Sequence, residues 1–229
     1  MTNPDTSDRI IAVCGGTGAL GSGLAFRFAL AGYRVVLGSR DPDRAAETAA
    51  DLTARAREWN KSVTIIGQGN AEAAGVAQMV VLAVPYASQE ATLSEIAPAL
   101  QGKILVSATV PLKPPKVARV QLPALGSAAQ EAQAQLGDGV AVVSAFQNVA
   151  AASLQTPGPV DCDILVTGDS VDARAQVLQV IQDCGMNGYH AGPLDNSAAT
   201  EALTSLLISI NKRHKCHAGI RISGVSAEQ

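Results

Sequence analysis

The stretch IIAVCGGTGALGSGLAFRFAL, residues 10–30, constrains this chain more than any other. An apolar run reads as a buried strand over Ile10–Val13. It breaks at a glycine-rich turn, and Leu20, Leu24 and Phe28 then fall four apart on one face of a helix expected over Ser22–Ala31. Within the turn, Gly16, Gly18 and Gly21 fit the spacing G-x-G-x-x-G. The first glycine permits a tight turn, the second lets the backbone approach a pyrophosphate, and the third lets helix and strand pack closely. The backbone of Ala19, Leu20 and Gly21 then opens a helix whose free N–H groups and dipole favour an anion, and Thr17 adds a hydroxyl donor. A strand before the glycines and an amphipathic helix after them point to dinucleotide binding.

The end of the next strand selects the dinucleotide. An NAD site carries Asp or Glu there, about 20 residues past the glycines, to bind the ribose hydroxyls. This chain reads LGSRDPDR, with Gly38, Ser39 and Arg40 at that place and Arg44 one helical turn on. A missing carboxylate and two cations suit a 2′-phosphate, so NADP is expected over NAD.

Strand-like runs recur at Val35–Leu37, Val63–Ile66, Met79–Val84, Ile104–Val106, Val140–Val143 and Ile164–Val166, with a weaker one at Tyr189–Ala191. They are continuous rather than alternating, as strands buried on both faces are. Helices are expected at Pro42–Trp59, at Val171–Cys184 with Val177, Leu178 and Ile181 inward, and at Asn196–Lys215, which carries Leu203, Leu206, Leu207 and Ile210. Alternating strands and helices predict an α/β fold with a doubly wound, mostly parallel sheet. Four prolines make Val110–Pro123 a surface loop. Ligands lie at the carboxyl ends of such strands, so Ala83, Val84 and Pro85 are placed beside the nicotinamide.

Bulk properties narrow the function. The net charge is −3, without a basic run long enough to track nucleic acid. No apolar run approaches the roughly 20 residues of a membrane span, and the N-terminal MTNPDTSDR lacks a signal-peptide core. Scattered thiols at Cys14, Cys162, Cys184 and Cys216 suit a reducing, cytoplasmic setting. His214, Cys216 and His217 lack a fourth ligand and the usual zinc spacing, so no metal is expected. No nucleophile set and no acid/base pair stand out, so no catalytic side chain is assigned. Carbonyl reduction normally needs a proton donor, whereas hydride transfer between two cofactor rings needs them held in register. Small residues such as Ala83, Ser144 and Ala145 permit close approach of rings, and Gln147 or Asn148 can hydrogen-bond a ring carbonyl or carboxamide.

Across nearly its whole length the chain resembles the NADPH-dependent coenzyme F420 reductases, also called F420-dependent NADP oxidoreductases. The resemblance rests on CGGTGALGSGLA, VVLGSRDPDRA, VLAVPY, VSAFQNVAA, ILVTGDS, AGPLDNSAATEALTSLLISIN and HAGIRISG, in that order. It implies a Rossmann domain over residues 1–150, a small C-terminal lobe over 151–229, and a deazaflavin, coenzyme F420, in the cleft between them. It further implies that Thr17, Ser39, Arg40 and Arg44 hold the NADP phosphates. Pro85 and the strand end from Ala145 through Gln147 and Asn148 to Val149 would border nicotinamide and deazaflavin. The chain departs from the family pattern where some members carry His, reading Phe146-Gln147-Asn148, and has Ala150 where a proline can stand. Two other readings stay open at this point: an NADPH reductase with another acceptor (a flavin, an imine or a carbonyl), and a non-catalytic NADP-binding regulator. An apolar helix at Leu203–Ile210 suits a homodimer contact as well as it suits core.

Overall fold

A computed structural model describes residues 9–60 and 62–225. The polar N-terminal stretch read above lies, up to residue 8, outside the described residues. Strands β1 (Ile10–Cys14), β2 (Arg34–Ser39), β3 (Ile65–Gly69), β4 (Met79–Leu82), β5 (Ile104–Ser107), β6 (Ala141–Ser144), β7 (Asp163–Gly168) and β8 (Asn187–His190) form one sheet in the order β3-β2-β1-β4-β5-β6-β7-β8. All neighbours run parallel except β6 and β7. The helices are α1 (Ala19–Leu30), α2 (Pro42–Arg57), α3 (Asn70–Val76), α4 (Gln89–Ile96), α5 (Ala128–Leu136), the single turn α6 (Ala151–Leu154), α7 (Val171–Asp183) and α8 (Ser197–His214). This is the doubly wound, Rossmann-like sheet that the alternation of elements predicts.

Side chains of successive strand residues go to opposite faces, and the core divides accordingly. Val13, Leu24, Phe28 and Leu37 pack on one face, and Ala12, Val36, Leu82 and Leu105 on the other. The chain winds outward from β1 in two directions, so β1 and β4 are neighbours whose connections leave on opposite sides. That switch point opens a crevice at the carboxyl ends of the strands.

The helices at 70–76, 89–96 and 128–136 carry little periodic signal in sequence. NAEAAGV is two turns long, and α5 buries Ala128, Ala129, Ala132 and Leu136, a face of small residues. In α7, Val177, Leu178 and Ile181 are buried as expected. The apolar residues of α8, which suit core and a homodimer contact equally in sequence, divide in the fold. Of Leu203, Leu206, Leu207 and Ile210 only Leu207 is buried, while Leu206 is 50% and Ile210 43% exposed. The helix buries Ser197, Thr200, Glu201 and Ser205 instead, because it docks on polar partners. Glu201 accepts hydrogen bonds from the N–H groups of Ala128 and Ala129 at the start of α5, and Ser205 donates to the Val117 carbonyl. Arg27 ties the segment after α6 to α1. Although only 4% exposed, its guanidinium donates to the carbonyls of Ser153, Leu154 and Gly158.

Candidate dinucleotide and hydride-transfer site

The glycine turn is built from the backbone outward. Gly15, which the motif spacing passes over, takes the left-handed conformation that the tight turn needs, with φ 78°. A Cβ there would stand 2.6 Å from both the Ala83 carbonyl oxygen and a Val84 methyl. The N–H groups of Gly15 and Gly16 both donate to the Gly38 carbonyl at 3.0 Å, which seats the turn on the end of β2. Gly16 is buried, and a Cβ on it would fall 1.9 Å from a Leu37 methyl carbon. Gly21 packs against the turn, its Cβ direction blocked at 2.6 Å by the Gly15 carbonyl oxygen. Gly18 differs. It is exposed, has ordinary extended φ and ψ, and a Cβ on it would meet only the Gly15 carbonyl oxygen, at 3.4 Å. It is the N-cap of α1 without a side-chain cap, so the first N–H groups of the helix, from Ala19 through Leu20 to Gly21, have no capping partner. A cradle that a Cβ would fill, above unspent N–H groups, fits a phosphate.

A cleft of about 470 Å³ lies over this turn. Thr17 and Gly18 line its middle, Ser39, Arg40 and Arg44 one end, and Ala83, Val84 and Pro85 another. The Ser39 hydroxyl oxygen accepts from the Asp41 N–H at 3.2 Å, which leaves its own proton to donate. Asp41 caps α2 through the Arg44 N–H, with Pro42 in the first turn. The Arg40 and Arg44 side chains are exposed, and no protein partner of either guanidinium is found among the described residues. A second cavity, of about 390 Å³ and lined by Tyr33, Arg34 and Val63, sits at the amino ends of the strands, away from the glycine turn.

Ala83 is held by its N–H to the Cys14 carbonyl, and the Val84 carbonyl accepts from Thr109. Tyr86 follows, and its hydroxyl donates to Glu131 at 2.7 Å. Burial first, and then that bond, push the phenol up to about 12, so it is committed to Glu131 rather than poised as an acid. Burial likewise pushes the Cys14 thiol up to about 12.

Ala145, Gln147, Asn148 and Val149 do not line this cleft. They are buried at the end of β6, one strand beyond β5. The Gln147 amide donates to the Ser107 carbonyl at 2.8 Å and to the Ser144 hydroxyl at 2.7 Å. The Asn148 amide donates to the Asp163 carbonyl at 2.6 Å and contacts the Cys162 sulfur. Phe146 between them has φ 75° and packs edge-on against Phe28. The structure adds Gly15, Asp41, Asn70, Ser88 and Thr92 to the cleft. Only Asn70 had a usable sequence signal, as the polar residue ending IIGQGN after a strand. Among the described residues no group of three His, Cys, Asp or Glu side chains could hold a metal ion.

The profile of the NADP oxidoreductase coenzyme F420-dependent family matches residues 10–111, from the start of β1 to just beyond the end of β5. The F420-dependent NADP reductase of Methanothermobacter marburgensis is 40% identical over 223 residues, covering 94% of this chain and 98% of that protein. The chain belongs to the F420-dependent NADP reductase family. A second member, the F420-dependent NADP reductase of Methanocaldococcus jannaschii, is 38% identical over 221 residues, with 94% and 98% coverage. Both full-length relatives extend the family match well past residue 111, so it is not confined to the glycine-turn half. The fold is shared with the crystal structure of a candidate F420-dependent NADP reductase from Arthrobacter sp. FB24, with a TM-score of 0.77, 24% identity, and coverage of 94% and 99%.

Proposed function

We propose that this chain is an oxidoreductase that transfers a hydride between NADP(H) and coenzyme F420. The observation that carries the reading is the cleft: an uncapped helix N-terminus on a glycine turn, with the guanidinium groups of Arg40 at the end of β2 and Arg44 in α2, neither paired among the described residues. NADP(H) supplies or takes the hydride, and the deazaflavin is its partner in exchange, as the names of the family relatives imply. The protein's part is placement. The free N–H groups at the start of α1, just after Gly18, hold the pyrophosphate. The Ser39 hydroxyl, Arg40 and Arg44 hold the 2′-phosphate. Ala83, Val84 and Pro85 present small or rigid surface to the nicotinamide end, where a bulky side chain would hold two rings apart.

In this reading residues 1–150 carry the dinucleotide and residues from 151 onward complete the acceptor side. Ala145, Gln147, Asn148 and Val149 act from below. Their amides anchor the β6 turn to β5 and β7 and so hold the acceptor side in shape. No side chain serves as an obligatory acid. The four thiols are all free, which supports a cytoplasmic setting, and no helix among the described residues is long and apolar enough to cross a membrane. Leu206 and Ile210, exposed on α8, would pair two copies of the chain; sedimentation of the parent as a monomer would remove that part. The function is tested by stopped-flow absorbance with purified protein, NADPH and oxidised F420. Bleaching of the deazaflavin is expected. Tight NADPH binding without bleaching would move the assignment to another acceptor.

A further inference from the structure

Asn70 is the first residue of α3, at the carboxyl end of β3, and lines the same cleft as Ser39 and Arg40. It is 2% exposed. Its Nδ2 donates to a Glu95 carboxylate oxygen at 3.4 Å, a long and weak bond, and its Oδ1 is buried with no partner among the described residues. Buried acceptors are almost always paired, and an orphan beside a ligand cleft calls for a donor from outside the chain. Gly38 makes the room: a Cβ there would stand 3.0 Å from Asn70 Oδ1 and 3.2 Å from its Cα. Gly38 and Ser39 occupy the end of β2, where an NAD site projects a carboxylate to the ribose hydroxyls. The orphan oxygen therefore stands beside the place of the missing carboxylate. It also differs from one in a useful way. A carboxylate next to a 2′-phosphate repels it, whereas a neutral amide oxygen accepts a hydroxyl without that repulsion. The nearby Thr92 hydroxyl is committed, since it donates to the Ser88 carbonyl, and the Ser39 hydroxyl, which accepts from the Asp41 N–H, keeps its proton for the 2′-phosphate in the proposed reading.

We propose that Asn70 is a specificity-determining residue: its Oδ1 accepts a hydrogen bond from the adenosine ribose 3′-hydroxyl, and its neutrality favours the 2′-phosphorylated ribose. The proposal rests on the reading of the cleft as an NADP(H) site. A small turn of the side-chain amide, held among the described residues by the long bond to Glu95, brings the oxygen to the cleft.

The test is equilibrium titration of the parent, Asn70→Ala and Asn70→Asp with NADPH, NADH, adenosine 2′,5′-bisphosphate and the 3′-deoxy form of that bisphosphate, with melting temperatures alongside. Asn70→Ala should weaken NADPH, NADH and the bisphosphate alike, by about 3- to 10-fold, and leave the 3′-deoxy compound unchanged. Asn70→Asp keeps the shape and guards against a misfolded alanine variant. It should lose about 10-fold or more for NADPH through repulsion of the phosphate while holding NADH near the parent value. An alanine variant that folds and binds the bisphosphate like the parent overturns the proposal. So does an equal penalty for the 3′-deoxy compound. A parent chain that binds no NADPH overturns the cofactor reading itself, a result distinct from either.

Discussion

Alanine at Gly18 and alanine at Gly21 should separate cofactor binding from folding within one turn. At Gly18 the backbone is extended, at φ −77° and ψ 162°, and the added Cβ makes only one contact, 3.4 Å from the Gly15 carbonyl oxygen. The folded state loses little: alanine is a poorer N-cap than glycine, by about 1 kcal/mol or less. For a chain of this size that is a drop of roughly 2–4 °C in Tm. Binding suffers much more. The Cβ fills the space in which phosphate oxygens must meet the N–H groups of the first turn. Each charge-assisted hydrogen bond contributes about 1.5–3 kcal/mol, so weakening two of them costs about 3 kcal/mol, or roughly 150-fold in Kd. At Gly21 the added Cβ would lie 2.6 Å from the Gly15 carbonyl oxygen and 2.9 Å from Gly16 Cα, both rigid backbone. Overpacking of that kind costs about 1–3 kcal/mol, partly offset by the better helix propensity of alanine. Gly21→Ala should therefore show the larger fall in stability. Urea unfolding together with isothermal titration of NADPH measures both quantities. A folded Gly18→Ala protein that binds NADPH within about threefold of the parent would refute the argument, because no phosphate could then be sitting on the turn.

Arg40→Ala should weaken NADPH by about 10- to 100-fold, the loss of one charge-assisted phosphate contact, and leave NADH nearly unchanged; equal losses for the two cofactors in fluorescence titration would remove the basis for the 2′-phosphate assignment. Glu201 should make stability depend on pH. Burial, opposed by the N–H groups of Ala128 and Ala129, pushes its carboxyl from 4.5 up to about 7, so the folded state holds the proton more tightly than the unfolded chain. The group's stabilising contribution is then complete below about pH 4.5 and lost as pH rises toward 7, about 3 kcal/mol in all. Glu201→Gln should flatten the urea midpoint across that window, and an unchanged slope would show that Glu201 does not titrate there.

The amino-acid sequence by itself determined the strand, turn and helix from Ile10 to Leu30, the other strands of the sheet to within a few residues, and the cationic end of β2 that lacks a carboxylate at its last residue. These are local signals. A run of apolar residues marks a strand buried on both faces wherever it later packs, and a glycine is legible because its backbone demands it. Only the tertiary structure decided the rest, because the deciding partners are far apart along the chain. Asn70 reaches the cleft because β3 lies beside β2, and the absence of a side chain at Gly38 leaves room for its oxygen. The polar stripe of α8 turns inward because the start of α5 offers N–H groups to Glu201, which no periodicity of leucines announces. Gln147 and Asn148 look in sequence like free amides at a strand end. In the fold they are buried and held by Ser107, Ser144 and Asp163, because a buried amide must find its hydrogen bonds among whatever strands lie next to it.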